Sequence, residues 1–160
     1  MDVSILKLLE NDAKMSAEQI ASSLGMDERE VAAQIAQCEE DDIIAGYKTL
    51  IDWEKLGDTS VTALIEIKVV PQRGLGFERI AERISQYEEV KSVYLMSGGF
   101  DIAVTVSGES LREVACFVSD KLAPLEYVTS TATHFVLKKF KDKGIMYTNT
   151  QKDQEREYAF

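Results

Sequence analysis

The chain is short of residues that break or staple a backbone, and short of positive charge. Two prolines and nine glycines in 160 residues leave few forced turns, so each one carries positional information. The two cysteines, Cys38 and Cys116, stand 78 positions apart. That spacing is neither a CxxC motif nor a secreted disulfide framework, and two reduced, packed thiols are expected. One histidine, His134, excludes a His-rich metal site within a single chain. No apolar run reaches the roughly 20 residues that span a bilayer. The longest candidates, around Val61–Val70 and Val128–Leu137, are interrupted by Thr, Glu, Lys and Ser, so no membrane partner is expected. No basic stretch followed by an apolar one opens the chain, so no signal peptide is expected, and the cytoplasm is the expected location. No P-loop, Ser/His/Asp order, paired-carboxylate motif or metal spacing is present, so neither an enzyme nor a cofactor is expected. Lysine and arginine number 18 against 28 aspartates and glutamates, a formal charge of −10, which argues against general affinity for a polyanion.

What is present is an ordinary globular balance, 45% hydrophobic and 29% charged. A chain of this length buries roughly 68–70% of its unfolded surface, as one domain or two small ones. The first segment reads as three helices. Ile5, Leu8 and Leu9 follow an amphipathic spacing over residues 2–11. Ser16 and Gln19 form a capping box for a second helix with Ile20, Ala21 and Leu24 inward, and Gly25 stands where a left-handed residue ends it. Asp27 caps a third helix facing inward with Val31, Ile35 and Cys38. Ile43–Tyr47 then reads as a short strand pair, a wing. After a polar connector with one helical turn, the period changes from 3.6 to 2: Val61, Ala63, Ile65, Ile67 and Val69 alternate with outward residues. A helix follows on Phe77, Ile80, Ala81, Ile84 and Tyr87, then a strand at Val90–Met96. A Gly98-Gly99 turn is expected to take positive φ at both glycines. Next come a strand on Ile102, Val104 and Val106, a helix on the stripe Leu111, Ala115, Val118 and Leu122, and a long strand Tyr127–Phe140. In that last strand Thr129, Thr131 and Thr133 share one face, solvated or at an oligomer seam.

The order predicts an α+β protein, an N-terminal winged helix-turn-helix followed by a ferredoxin-like βαββαβ domain. The expected limits are 1–50 for the helix-turn-helix, 51–58 for a linker, 59–141 for the second domain and 142–160 for a tail.

Specific residues resemble the Lrp/AsnC (feast/famine) family of transcription regulators. Ile5-Leu6 with Leu9, then Ser16, then Ala21-Ser22-Ser23-Leu24-Gly25-Met26, match that family's first two helices and turn. Asp42–Tyr47 resembles its G-x-I-x-G-Y wing with Asp42 in place of the first glycine, and Ser97-Gly98-Gly99-Phe100-Asp101 resembles its S-G-x-[FY]-D turn. The match covers about residues 2–140. The resemblance implies double-stranded DNA as partner, a small-molecule effector, typically an amino acid, and homodimers paired sheet to sheet that assemble further, such as into octamers. It places the effector near the turn, with Ser97, Gly98, Gly99, Phe100 and Asp101 as candidate contacts. Bare glycine amides suit a carboxylate and Asp101 an ammonium. Sirohaem decarboxylases are similar in architecture, but the wing here, Ala45-Gly46-Tyr47-Lys48, lacks their arginine pair.

Charge pulls the other way. Residues 1–50 hold four cations (Lys7, Lys14, Arg29, Lys48) against eleven acids, a net −7, where a duplex-binding domain normally carries the opposite footprint. The candidate DNA contacts are Arg29 to guanine, Gln34 and Gln37 to adenine edges, and Lys48. The alternative is a ligand-sensing or oligomerisation protein of the same fold with weak or lost DNA binding.

Overall fold

The computed structural model describes residues 2–70 and 76–147, and the chain divides into two compact units between Ile51 and Asp52. In the first, local chemistry sets each helix end. Helix α1 (Val3–Asn11) starts on Asp2, whose carboxylate accepts from the Ser4 amide at 2.8 Å. Helix α2 (Ala17–Leu24) has the reciprocal box: Ser16 Oγ accepts from the Gln19 amide, and Gln19 Oε1 accepts from the Ser16 amide. Gly25 ends it at φ 66, a conformation costly for a residue with a Cβ. Helix α3 (Glu28–Glu40) begins where Asp27 accepts from the Arg29 and Glu30 amides. Ile5, Leu9, Ile20, Ala21 and Val31 close the core between them, with Leu8, Leu24 and Ile35 packed around it.

The expected wing strands are absent: residues 43–50 form no strand. Asp42, at φ 55, folds the chain back over the end of α3. The hydrogen bonds of the segment then go to that helix, with the Ile44 amide donating to the Cys38 carbonyl at 3.0 Å.

In the second unit one 3₁₀ turn, Trp53–Leu56, leads to β1 (Val61–Val69), α4 (Phe77–Ser85), β2 (Val90–Leu95), β3 (Ile102–Gly108), α5 (Leu111–Phe117, continued as a wider π turn to Leu122) and β4 (Val128–Phe135). The sheet runs β2-β3-β1-β4 with every pair antiparallel, the expected ferredoxin-like order. Ala63, Ile65, Ile67 and Val69 of β1 meet Ile102, Val104 and Val106 of β3 under Ile84, Val114, Phe117 and Leu122 from the helical layer. At about 1.5–3 kcal/mol for each large side chain withdrawn from water, this layer dominates the stability of the unit.

Four expectations are corrected here. The inward stripe of α5 is Val114 and Phe117, while Leu111 is 57% exposed and Ala115 is exposed. The Phe117 ring meets Tyr87 edge-on at 5.6 Å and has far more apolar area to bury than Ala115, so the helix turns that face to the sheet. Strand β4 stops at Phe135 because its neighbour runs out: Ala63 pairs with Phe135, the Val136 amide donates to the Thr62 carbonyl, and β1 begins at Val61. Beyond it, β5 (Lys141–Asp142) and β6 (Ile145–Met146) form a small hairpin, with Lys143 and Gly144 both at positive φ as a two-residue turn requires. Thr131 and Thr133 pair with Ile67 and Ile65, so they lie half-buried on the helix-covered face, and Thr129 Oγ1 donates to the Lys68 carbonyl at a register shift. Finally, Cys38 is buried but Cys116 is exposed. Among the described residues no helix is long and apolar enough to cross a membrane. The tail aromatics Tyr158 and Phe160 lie outside the described residues.

Candidate DNA-reading helix and effector loop

Helix α3 presents an exposed strip. Arg29, Ala32, Ala33, Ala36 and Gln37 lie on the surface while Val31 and Cys38 anchor the inner side. Arg29 and Gln37 stand eight positions apart, about 12 Å along the axis. Neither side chain has a hydrogen-bond or ion-pair partner among the described residues. Gln34 is different: its Oε1 accepts from the Asp2 amide at 2.7 Å and its Nε2 donates to Glu30 Oε1 at 3.2 Å. Both ends of that amide are occupied holding the start of α1 to α3, a tie across 32 positions that no local pattern in the sequence announces. Lys48 is exposed and lines, with Lys7, an open groove of about 550 Å³ between α1 and residues 43–48. No residue of α3 lines that groove.

The acids of α3 divide by their place on the helix dipole. Asp27, Glu28 and Glu30 sit at the positive N-terminus, where they stabilise the helix. Glu39, Glu40 and Asp41 crowd the negative end with no basic residue in the last turn. Tyr47 answers one of them: its hydroxyl donates to Glu39 Oε1 at 2.9 Å, and burial together with that carboxylate pushes the phenol above its usual range.

In the second unit, Met96–Asp101 joins β2 to β3. The Met96 amide donates to the Asp101 carbonyl at 2.8 Å and closes a four-residue loop, Ser97–Phe100. Asp101 is bound on two sides. Its amide donates to the Ile67 carbonyl at 3.0 Å, and its Oδ2 accepts from the Val69 amide at 2.9 Å, where the pairing of β1 with β4 shifts register. The carboxylate therefore satisfies a strand amide that would otherwise lack an acceptor. Ser97, Gly98 and Gly99 are exposed and Phe100 is half-buried. The expectation of positive φ at Gly98 and Gly99 is corrected: positive-φ glycines are Gly25, Gly46, Gly57 and Gly144. A loop of four residues spreads the reversal over more dihedrals than a two-residue turn does. A Cβ at either glycine would meet nothing within 4 Å, so both stand open to solvent.

The sheet has a second face. Thr62, Leu64, Glu66 and Lys68 of β1 line it together with Ala103 and Thr105 of β3, Tyr94 of β2 and His134 of β4, while the helices of this unit pack on the other side. His134 Nε2 lies 3.4 Å from Glu66 Oε1 there, and Tyr94 is 57% exposed.

Comparison with known proteins agrees with this geometry. Residues 62–146 match the family model described as the Lrp/AsnC ligand binding domain, and residues 1–45 match one described as a winged helix-turn-helix DNA-binding domain. The HTH-type transcriptional regulator YugG of Bacillus subtilis is 44% identical over 154 residues, 96% of this chain and 93% of that protein. LrpA of Pyrococcus horikoshii, also an HTH-type transcriptional regulator, is 31% identical across 88% of this chain and 96% of its own. Among solved structures, a feast or famine regulatory protein of M. tuberculosis complexed with L-methionine shares the fold at TM-score 0.72 and 20% identity, covering 88% of this chain and 92% of that one.

Proposed function

The chain belongs to the Lrp/AsnC family of helix-turn-helix transcriptional regulators, which are not enzymes, and from that premise we propose a cytoplasmic, homo-oligomeric regulator whose duplex binding responds to an amino acid or related metabolite. The observation that carries the DNA half is the exposed strip of α3. Arg29 and Gln37 are uncommitted to any described neighbour, and the alanines between them are small enough to let the helix enter a major groove and touch thymine methyls. Arg29 takes a guanine edge, Gln37 an adenine, and Lys48 a phosphate. Gln34 serves by fixing α1 against α3, and reaches a base only by releasing Asp2 and Glu30.

With a net charge of −7 on residues 1–50, each subunit neutralises few phosphates, so affinity comes from several subunits engaging one duplex. The open sheet face with Leu64, Tyr94, Glu66 and His134 supports pairing into a homodimer, and dimers assemble to higher oligomers such as an octamer. The effector meets the exposed loop Ser97-Gly98-Gly99-Phe100, with Asp101 holding the loop on β1. Two solved relatives of this fold carry L-methionine, which supports an amino acid as the effector class.

Fluorescence anisotropy of a labelled duplex from upstream of its own gene tests the reading, at about 50 and 200 mM salt, with and without a mixture of amino acids. Binding should weaken with salt and shift with the mixture. Arg29→Gln should weaken binding by roughly 1–3 kcal/mol and relax preference at one base position. No binding at low salt by folded, oligomeric protein would replace this reading with the sensor and assembly one.

A further inference from the structure

We infer that the second unit carries a pocket beside α4, separate from the Met96–Asp101 loop, that takes a free amino acid by its carboxylate and ammonium groups together; this rests on the reading above that the chain answers to an amino-acid effector. The pocket is a cavity of about 140 Å³ whose walls include Arg79, Ile80 and Arg83 from α4 and Leu125, Glu126 and Tyr127 from the segment entering β4. Arg79 and Arg83 are four residues apart, so their guanidinium groups rise from one face of the helix on successive turns. That is an unfavourable arrangement left to itself. Like charges at this spacing repel, and Arg79 stands in the first turn, where the helix dipole disfavours a cation. No described carboxylate lies within ion-pair distance of either arginine. Two planar cations sharing one cavity with no anion between them match a carboxylate, which a guanidinium grips through paired hydrogen bonds.

The opposite wall has the opposite sign. Glu126 faces the same cavity, unpaired with either arginine, and its carboxylate is hydrogen-bonded to the Tyr127 hydroxyl. It supplies the acceptor that an α-ammonium needs. Between the charged groups, Ile80 and the buried Leu125 give an apolar floor for an aliphatic side chain. Tyr127 is held at φ 76, where a bulky side chain is an outlier, and its carbonyl accepts from the Val70 amide at 3.0 Å. The main chain is therefore fixed on the sheet, and the ring is committed to the cavity rim. The size suits a small body: a dry cavity of about 150 Å³ holds a benzene ring.

The full chain is titrated by calorimetry with each proteinogenic L-amino acid in turn, and the effect of each on duplex binding is read by anisotropy in parallel. The tightest binder is then compared with its analogue lacking the amino group. In the Arg79→Gln/Arg83→Gln double variant the affinity should fall tenfold or more, the loss of a charge-assisted bidentate grip. Arg112→Gln, an exposed cation of α5 outside the cavity, controls for bulk charge and should bind as wild type. Glu126→Gln should weaken the amino acid while leaving the deaminated analogue unaffected or tighter. Wild-type affinity in the double arginine variant, with the effect on duplex binding intact, overturns the pocket and leaves the effector reading standing. A folded, duplex-binding wild type that takes up no amino acid overturns both.

Discussion

The two units are stabilised by different means. The helical unit encloses a core of five residues, Ile5, Leu9, Ile20, Ala21 and Val31, and every one of its three helices opens on a side-chain cap. The sheet unit encloses twelve, drawn from three strands, two helices and their flanking turns, and its interior is knit by pairings between residues tens of positions apart. A small core leaves little reserve once conformational entropy is met, so the DNA-reading unit depends on local bonds worth about 1 kcal/mol each. The sheet unit depends on burial. The unit that must fit a groove is thus the one with less to lose, and it opens more readily.

Four substitutions test that contrast. Ile65→Ala should have the largest effect, about 2–5 kcal/mol, because Ile65 is fully buried at the centre of β1. Urea unfolding would give the magnitude, and hydrogen exchange should show the loss in the strands and not in α1–α3. Equal loss in both units would erase the distinction. Asp101→Ala removes the acceptor of the part-buried Val69 amide and should cost roughly 1–3 kcal/mol, read by the same melt. Ser16→Ala breaks one half of the capping box and should cost about 1 kcal/mol. Its exchange signature should stay within the helical unit, and duplex binding should weaken while amino-acid binding persists. Gly98→Val should change stability by less than about 0.5 kcal/mol, because neither its φ nor its surroundings demand a glycine. A thermal melt lowered by several degrees would show that the loop is under constraint after all.

The helical unit was also the more legible from its residues. Ser16 with Gln19, Asp27 and Gly25 each act on neighbours three or four positions away, so their types and spacing suffice to place the helix ends. The alternation of Ala63, Ile65, Ile67 and Val69 was equally plain, since a strand with one covered face repeats every two residues. The candidate site was less so. Gln34 and Gln37 look alike on a helical wheel, yet one is spent on Asp2 and Glu30 and the other is exposed. Asp101 reads as a turn residue or a ligand group, and it bonds a strand amide 32 positions away. Arg79 and Arg83 are visible as a spacing on α4, but nothing in the chain announces that Glu126 and Tyr127 will face them.

The sequence by itself determined the number and kind of elements, the caps and breaks that bound them, the βαββαβ order and the acidic character of the reading helix, because each of these follows from bonds or burial within a few residues. The tertiary structure alone decided which face of α5 turned inward, where β4 ended, how the chain left α3, and which polar groups were already spoken for. Those outcomes depend on competition between distant groups for the same surface: Phe117 against Ala115 for the sheet, and the Val69 amide against any ligand for Asp101.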